Sequence, residues 1–163
     1  MKRGFILISL IAVIFSSCSS IKEATAKREA NGLLRQEQVR QALESNQFTI
    51  KMERLNSQRG PDIYLRADNN YIIVRGDMAR INLAYIGYSW DMRGISGINL
   101  TGKVIDNSLI FKGKGKYTLK MKVRQNDDTF SVTINVGKSG NCDVSVTHPM
   151  IAYTRYHGQL SAI

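Results

Sequence analysis

A strict alternation of apolar and polar residues in the second half of the chain is the feature that most constrains its fold. It is clearest over residues 117–124, where the apolar positions are Tyr117, Leu119, Met121 and Val123 and the polar positions are Thr118, Lys120, Lys122 and Arg124. Residues 130–136 repeat the pattern. Successive side chains of a β-strand point to opposite faces, so a period of two predicts strands with one buried and one solvated face.

Further strands are predicted along the whole region from residue 47 to 163. They are short segments rich in β-branched and aromatic residues: 48–54, 62–66, 70–75, 78–86, 98–105, 108–112, 142–147 and 151–157. Glycine, aspartate and asparagine separate them, as in Gly76-Asp77 and Asp106-Asn107. No helical stretch long enough for a crossover between parallel strands interrupts this region. The sequence therefore predicts an antiparallel meander.

A meander with one apolar face has to bury that face. Closure into a barrel buries it and also removes the exposed strand edges. We therefore expect a mainly β fold, a barrel or curved half-barrel preceded by an N-terminal helix, with a two-sheet β-sandwich as the alternative. The outward residues are mostly Lys, Arg, Thr and Asn. Charge on a lipid-facing surface is costly, so an outer-membrane barrel is not expected.

The N-terminus has the layout of an export signal. Lys2 and Arg3 precede an apolar run of eleven residues, Phe5–Phe15, which is too short to cross a bilayer as a helix. Ser16 and Ser17 then lead directly into Cys18, which resembles the lipobox of bacterial lipoproteins. That resemblance implies a signal peptide over 1–17 and an acylated Cys18, carrying palmitate, as the first residue of the mature chain. An ordinary signal peptide that ends near a cysteine is the alternative.

Residues 18–46 form a predicted tether that leads into the β domain at 47–163. The segment is rich in good helix formers and lacks proline, and the helix is best defined over 33–44. We interpret it as a spacer from the membrane, and docking of the helix on the β domain is the alternative.

Several short motifs resemble a known family. They include Asn70-Tyr71-Ile72-Ile73-Val74 followed by Gly76-Asp77, and the closing Tyr156-His157-Gly158-Gln159-Leu160. This pattern, over about 47–160, is similar to a family of envelope lipoproteins from Bacteroidota called domain of unknown function 4251. The resemblance implies a lipoprotein with a single β domain and no established activity. Acidic residues are absent directly after Cys18, which favours an outer-membrane lipoprotein that faces the periplasm.

Catalytic chemistry finds little support in the residue pattern. His148, His157, Cys142 and Asp143 match no standard zinc spacing, and no serine-nucleophile motif is present. Cys142 has the parity of Val144 and Val146, which predicts an inward, inert thiol. The sequence thus predicts no catalytic residue, no metal site and no cofactor. A periplasmic hydrolase whose site is assembled from distant residues stays open as the alternative.

Positive charge suggests a binding role instead. The chain holds 23 Lys and Arg against 13 Asp and Glu. Six cations form a cluster within thirteen residues, Lys112, Lys114, Lys116, Lys120, Lys122 and Arg124, and the last three share one solvated strand face. This face either keeps the protein soluble or contacts anionic lipid or glycan. The aromatic residues are a second candidate site: Tyr85, Tyr88, Trp90, Tyr153 and Tyr156. Tyr88 and Trp90 lie in a predicted loop, although Trp90 could equally belong to the core.

These features together predict a membrane-anchored, non-catalytic binding or interaction module. The expected partners are the membrane, through the lipid anchor, and an anionic lipid, a glycan or another envelope protein. Nucleic acid is not expected in the exported compartment.

Overall fold

A computed structural model describes residues 24–56, 61–85 and 97–163. Within these ranges the chain forms one helix, at 24–44, and nine strands. The strands are β1 (Gln47–Asn56), β2 (Ile63–Tyr64), β3 (Tyr71–Arg75), β4 (Met78–Ala84), β5 (Gly97–Gly113), β6 (Lys116–Gln125), β7 (Asp128–Val136), β8 (Asn141–His148) and β9 (Ile151–Ala162). The predicted signal peptide, 1–17, and Cys18 lie outside the described residues.

The strands close into a barrel. Each strand from β3 to β8 pairs antiparallel with the next strand along the chain. The barrel closes through β1, which pairs with β9 on one side and with β3 on the other. Eight strands therefore form the closed barrel. The two-residue β2 pairs with the C-terminal end of β1, at Arg54 and Leu55. The predicted mainly β barrel with an N-terminal helix is confirmed, and the sandwich alternative is wrong.

Side-chain alternation sorts the interior from the exterior, as the sequence predicted. Tyr117, Leu119, Met121 and Val123 are buried, whereas Lys120 is exposed. Thr118, expected on the solvated face, is 8% exposed, and its hydroxyl donates a hydrogen bond to the side-chain oxygen of Asn135 at 2.8 Å. Inward side chains from all eight barrel strands join one hydrophobic cluster. The largest of its fully buried side chains from the strands are Phe48, Ile50, Met52, Leu55, Ile72, Ile81, Leu83, Leu100, Leu119, Ile134 and Tyr156. The inward faces of the described strands thus form a packed core.

The largest difference from the predicted strands lies in β5, while β2 is shorter than predicted and β9 extends beyond residue 157 to Ala162. The segments 98–105 and 108–112 belong to a single strand, β5, and Asp106-Asn107 does not form a turn. The pairing of β5 with β6 shifts between Val104 and Asp106, which makes Ile105 the extra residue of a β-bulge. A bulge shifts the alternation of inward and outward side chains by one residue. In the sequence this shift looks like the end of one strand and the start of another. Gly102 lies just before it, where a Cβ atom would collide with the carbonyl oxygen of Arg124.

The helix is more than a spacer. Within the compact unit formed by residues 35–163, Val39, Ala42 and Leu43 are buried in the hydrophobic cluster. The Arg35 guanidinium donates hydrogen bonds to the carbonyl oxygens of Ser139, at 3.3 Å, and Leu160, at 3.0 Å. Residues 35–44 thus dock on the β domain, which is the alternative interpretation of this segment.

The earlier part of the helix has a different environment. Residues 24–34 are helical although the sequence placed the best-defined helix from 33 onward. In this separate unit Leu33 and Leu34 are 68% and 63% exposed. No helix in the described part of the chain is both long and apolar enough to cross a bilayer.

Polar side chains tie the barrel together at the end opposite to Arg35. The buried Asn70 amide accepts a hydrogen bond from the Ala84 backbone N–H at 2.6 Å and donates one to the Arg66 carbonyl at 3.0 Å. The Tyr156 hydroxyl donates to the Ala84 carbonyl at 2.9 Å. Every buried side-chain nitrogen and oxygen of the described residues has a hydrogen-bond partner.

Candidate functional site

The basic strip predicted from the sequence lies on the outer face of β6. Lys120, Lys122 and Arg124, which we call the basic strip, are all exposed. Lys103 of β5 lies directly opposite Arg124 and extends the positive surface onto the next strand. Carboxylates offset part of this charge, because Asp106 lies 3.4 Å from Lys122 and Asp77 lies 3.7 Å from Lys103.

A shallow cleft of about 240 Å³ runs along the basic strip between β5, β6 and β7. Strand register explains its composition, since directly opposed residues share one face of a sheet. Lys120 lies opposite Ser108 on one side and Thr133 on the other, and Lys122 lies between Asp106 and Ser131. We call this site the basic cleft.

The basic cleft offers the donors that an anionic group needs. Two ammonium groups and three hydroxyls surround it, from Lys120, Lys122, Ser108, Ser131 and Thr133. Ammonium and hydroxyl groups both donate hydrogen bonds to phosphate oxygens, and the ammonium groups add charge. Lys120 and Lys122 carry two positive charges and Asp106 one negative charge, so the basic cleft has a net charge of about +1. This charge suits a head group with a single negative charge.

The other lysines of the sequence cluster lie apart from the strip. Lys112, Lys114 and Lys116 are exposed around the tight turn that joins β5 to β6. The turn holds Lys114 at a φ of 51°, between Gly113 and Gly115, both of which also have positive φ. Six neighbouring cations in the sequence therefore form two groups, one at the turn and one along the strand.

The aromatic candidates divide in the same way. Tyr88 and Trp90 lie outside the described residues. Tyr85 and Tyr156 are buried, and burial raises the pKa of the Tyr156 hydroxyl above its ordinary value. Those two tyrosines belong to the core, whereas Tyr153 is 46% exposed.

Cys142 has the environment of a core residue. It is 2% exposed, and its thiol donates a weak hydrogen bond to the Gly158 carbonyl, with Sγ and O 3.4 Å apart. Burial raises the pKa of the Cys142 thiol to about 12. The thiolate is the nucleophilic form of cysteine, so the protonated Cys142 is unsuited to nucleophilic catalysis. The inward orientation predicted for it is confirmed.

The two histidines each pair with a carboxylate. His148 stacks on Phe130 with ring centroids 4.4 Å apart, and its Nε2 lies 3.4 Å from Asp128. His157 Nδ1 lies 3.1 Å from the Asp143 carboxylate. Within the described ranges, no group of three or more His, Cys, Asp and Glu side chains is placed to bind a metal ion.

A second cleft was not predicted from the sequence. It has a volume of about 320 Å³ and spans β7, β8, β9 and β1 on the outer face of the barrel. We call it the polar cleft, and its lining is Asn56, Asn135, Asp143, Val144, Ser145, Tyr153 and Arg155. Closure of the barrel creates it, because Asn56 meets Arg155 only where β1 pairs with β9. The sequence singled out Tyr153 as an aromatic candidate but gave no sign of its partners.

A family model places this chain among known sequences. The model for the domain of unknown function DUF4251 matches residues 33–160. The chain belongs to the DUF4251 family. The family resemblance noted from the sequence motifs is thereby confirmed.

A solved structure has a similar fold. The crystal structure of a DUF4251 family protein from Bacteroides eggerthii DSM 20697 is similar, with a TM-score of 0.69 and 15% sequence identity. The similarity covers 82% of this DUF4251 chain and 91% of that chain. At this identity the likeness shows the fold alone. No curated protein matches the chain.

Proposed function

We propose that this DUF4251 protein is an envelope lipoprotein, anchored through an acylated Cys18, that acts as a non-catalytic binding module. In this proposal the basic strip contacts anionic lipid head groups of the membrane that holds the anchor. The observation that carries the proposal is the basic cleft, where two lysine ammonium groups and three hydroxyls converge on the outer surface. The proposed location is the periplasmic face of the outer membrane.

The leader supports the anchor. A positive start, a short apolar run and small residues directly before Cys18 form the layout of a lipoprotein signal. Stable anchoring requires two or more acyl chains, at about 0.8 kcal/mol per buried methylene. The anchor would therefore supply the membrane affinity, and the basic strip would orient the barrel at the surface.

The described residues favour binding over catalysis. Apolar side chains occupy the inward faces of the strands, so functional groups are concentrated on the outer surface. Cys142, a thiol that could otherwise act as a nucleophile, is buried and protonated. Both clefts lie on the outside of a rigid sheet, where a binding surface requires little reorganisation.

Mass spectrometry of the protein from its native membrane tests the anchor. We expect a mature N-terminus at Cys18 with acyl chains attached, and we expect the Cys18→Ala variant to be released from the membrane. An unmodified thiol at the mature N-terminus would contradict the anchor.

Vesicle binding by the chain from Ser19 to Ile163, which lacks the proposed leader and anchor, tests the basic strip. Each cation near an anionic surface contributes about 1 kcal/mol, so loss of two cations weakens binding by roughly 30-fold. We therefore expect Lys120→Glu with Lys122→Glu to bind vesicles of phosphatidylglycerol and phosphatidylethanolamine at least about 30-fold more weakly than the unaltered chain. All variants should bind more weakly as salt rises.

The matched control changes the same net charge on strands away from β6. Lys51 on β1 and Arg75 on β3 are exposed, and β1 lies across the barrel from β6. Lys51→Glu with Arg75→Glu should have a much smaller effect. Equal losses for the two pairs would mean that net charge alone matters, and the proposal for the basic strip would then be wrong.

A further inference from the structure

The polar cleft belongs to a continuous row of side chains on the outer face of the barrel. Strand register places one residue from each of five neighbouring strands side by side. In the spatial order β2, β1, β9, β8 and β7 they are Tyr64, Arg54, His157, Asp143 and Asn135. Adjacent strands lie about 4.8 Å apart, so the row spans roughly 19 Å. A parallel row one step along the sheet contains Asn56, Arg155 and Ser145.

Two exposed tyrosines mark the ends of this surface. Tyr153 lines the polar cleft and is 46% exposed, and Tyr64 lies at the β2 edge and is 83% exposed. From strand spacing and rise we place their Cα atoms roughly 16 Å apart. Large aromatic rings left exposed on a sheet offer contact area to a ligand at low cost in side-chain entropy.

The polar side chains between the tyrosines are already held in place by each other. Asp62 accepts a hydrogen bond from the Asn56 amide at 3.0 Å and lies 3.5 Å from Arg54. The Arg155 guanidinium donates to the Tyr153 hydroxyl at 3.3 Å. Hydrogen bonds from Arg155 and Ser145 hold the pKa of Tyr153 below its ordinary value. A ligand would therefore meet side chains that need little reordering, which favours binding.

The chemistry of the polar cleft selects among ligand classes. Within the polar cleft Arg155 is balanced by Asp143, and beside it Arg54 is paired with Asp62, so the cleft has no net charge to attract a phosphate or a polyanion. Its lining also lacks the exposed apolar pocket that anchors a peptide side chain. Amide, carboxylate, hydroxyl and guanidinium groups together supply both donors and acceptors, which is what the hydroxyl groups of a sugar require.

We infer that the polar cleft, with Tyr153 on its wall and Tyr64 beside it, is a binding site for a neutral oligosaccharide. Tyr153 stacks on one sugar ring, and Asn56, Asp143 and Arg155 bond to its hydroxyls. Tyr64 contacts a ring further along the chain. The polar cleft shares no lining residue with the basic cleft, so the inference does not rest on the lipid-binding proposal.

Two tetrasaccharides serve as probes, one of β-1,4-linked N-acetylglucosamine and one of α-1,4-linked glucose. Each is titrated to millimolar concentration into the chain from Ser19 to Ile163, and backbone amide shifts are followed by NMR. We expect at least one probe to shift amides of β8, β9 and β1. We expect Tyr153→Ala to weaken binding about tenfold, and Tyr153→Phe, which keeps the ring, to stay within about threefold.

Tyr71→Ala is the matched control, because Tyr71 carries an aromatic ring on β3 beside Arg80, away from the polar cleft. It should bind the probe as the unaltered chain does, and so should Lys120→Glu with Lys122→Glu. Thermal unfolding confirms that each variant is folded. The inference is overturned if neither tetrasaccharide shifts the cleft amides, or if Tyr153→Ala and Tyr71→Ala weaken binding equally.

Discussion

Replacement of Leu43 by alanine measures how far the helix is part of the barrel core. Leu43 is 1% exposed and lies in the cluster that also holds the inward residues of the strands. The change removes three carbon atoms, which costs about 2.4 kcal/mol in transfer free energy alone. The cavity left behind adds to this, and buried Leu→Ala changes typically cost about 2.7–5 kcal/mol. We expect the free energy of unfolding to fall by about 3–4 kcal/mol.

Leu34→Ala is the matched control, since it makes the same chemical change in the same helix at a side chain that is 63% exposed. Exposed substitutions of this kind usually change stability by less than about 0.5 kcal/mol. Urea unfolding of both variants, monitored by circular dichroism, gives the two free energies, and an unchanged slope with urea shows that the transition is comparable. A loss below about 1 kcal/mol for Leu43→Ala would refute the docking of residues 35–44 as a stabilising contact.

Two further substitutions test the backbone packing and the buried thiol. A Cβ atom on Gly158 would collide with the Lys51 carbonyl oxygen, next to the point where the pairing of β1 with β9 shifts between Met52 and Arg54. Gly158→Ala should therefore lower the free energy of unfolding by about 3 kcal/mol or more. Gly32→Ala lies in open space within the helix and should leave that free energy unchanged or raise it by up to about 1 kcal/mol, and thermal unfolding of both variants measures the difference. The pKa of Cys142 is raised to about 12 in the native state, so above about pH 9 the unfolded chain loses this proton first and stability falls by up to about 1.4 kcal/mol per pH unit. Cys142→Ala should reduce that alkaline slope in urea unfolding, and an identical slope in both proteins would contradict a buried, protonated thiol.

The residues of the two candidate sites could be predicted from the sequence to different degrees. Lys120, Lys122 and Arg124 were placed correctly on one solvated face because they lie within a single strand, where parity alone fixes orientation. The partners Ser108 and Thr133 were not identified, since they come from β5 and β7 and depend on register. The same holds more strongly for the polar cleft, where Asn56 and Arg155 are 99 positions apart in the sequence.

The β5 bulge and the helix show where local pattern fails. At Ile105 the extra residue interrupts the alternation, and only the pairing of β5 with β6 reveals one continuous strand. In the helix, sparse apolar residues gave no clear stripe, and Val39, Ala42 and Leu43 acquire their role from the barrel that they contact.

The sequence by itself determined the class of structure: alternation set which side chains face inward, and turn residues set where most strands end. Both are local properties, because a strand's period and a turn's dihedral angles are fixed by neighbouring residues. Only the tertiary structure decided that β9 pairs with β1, where the helix docks, and which polar residues meet on the outer face. Those outcomes depend on strand register and on burial of a shared apolar surface, which are properties of the whole chain.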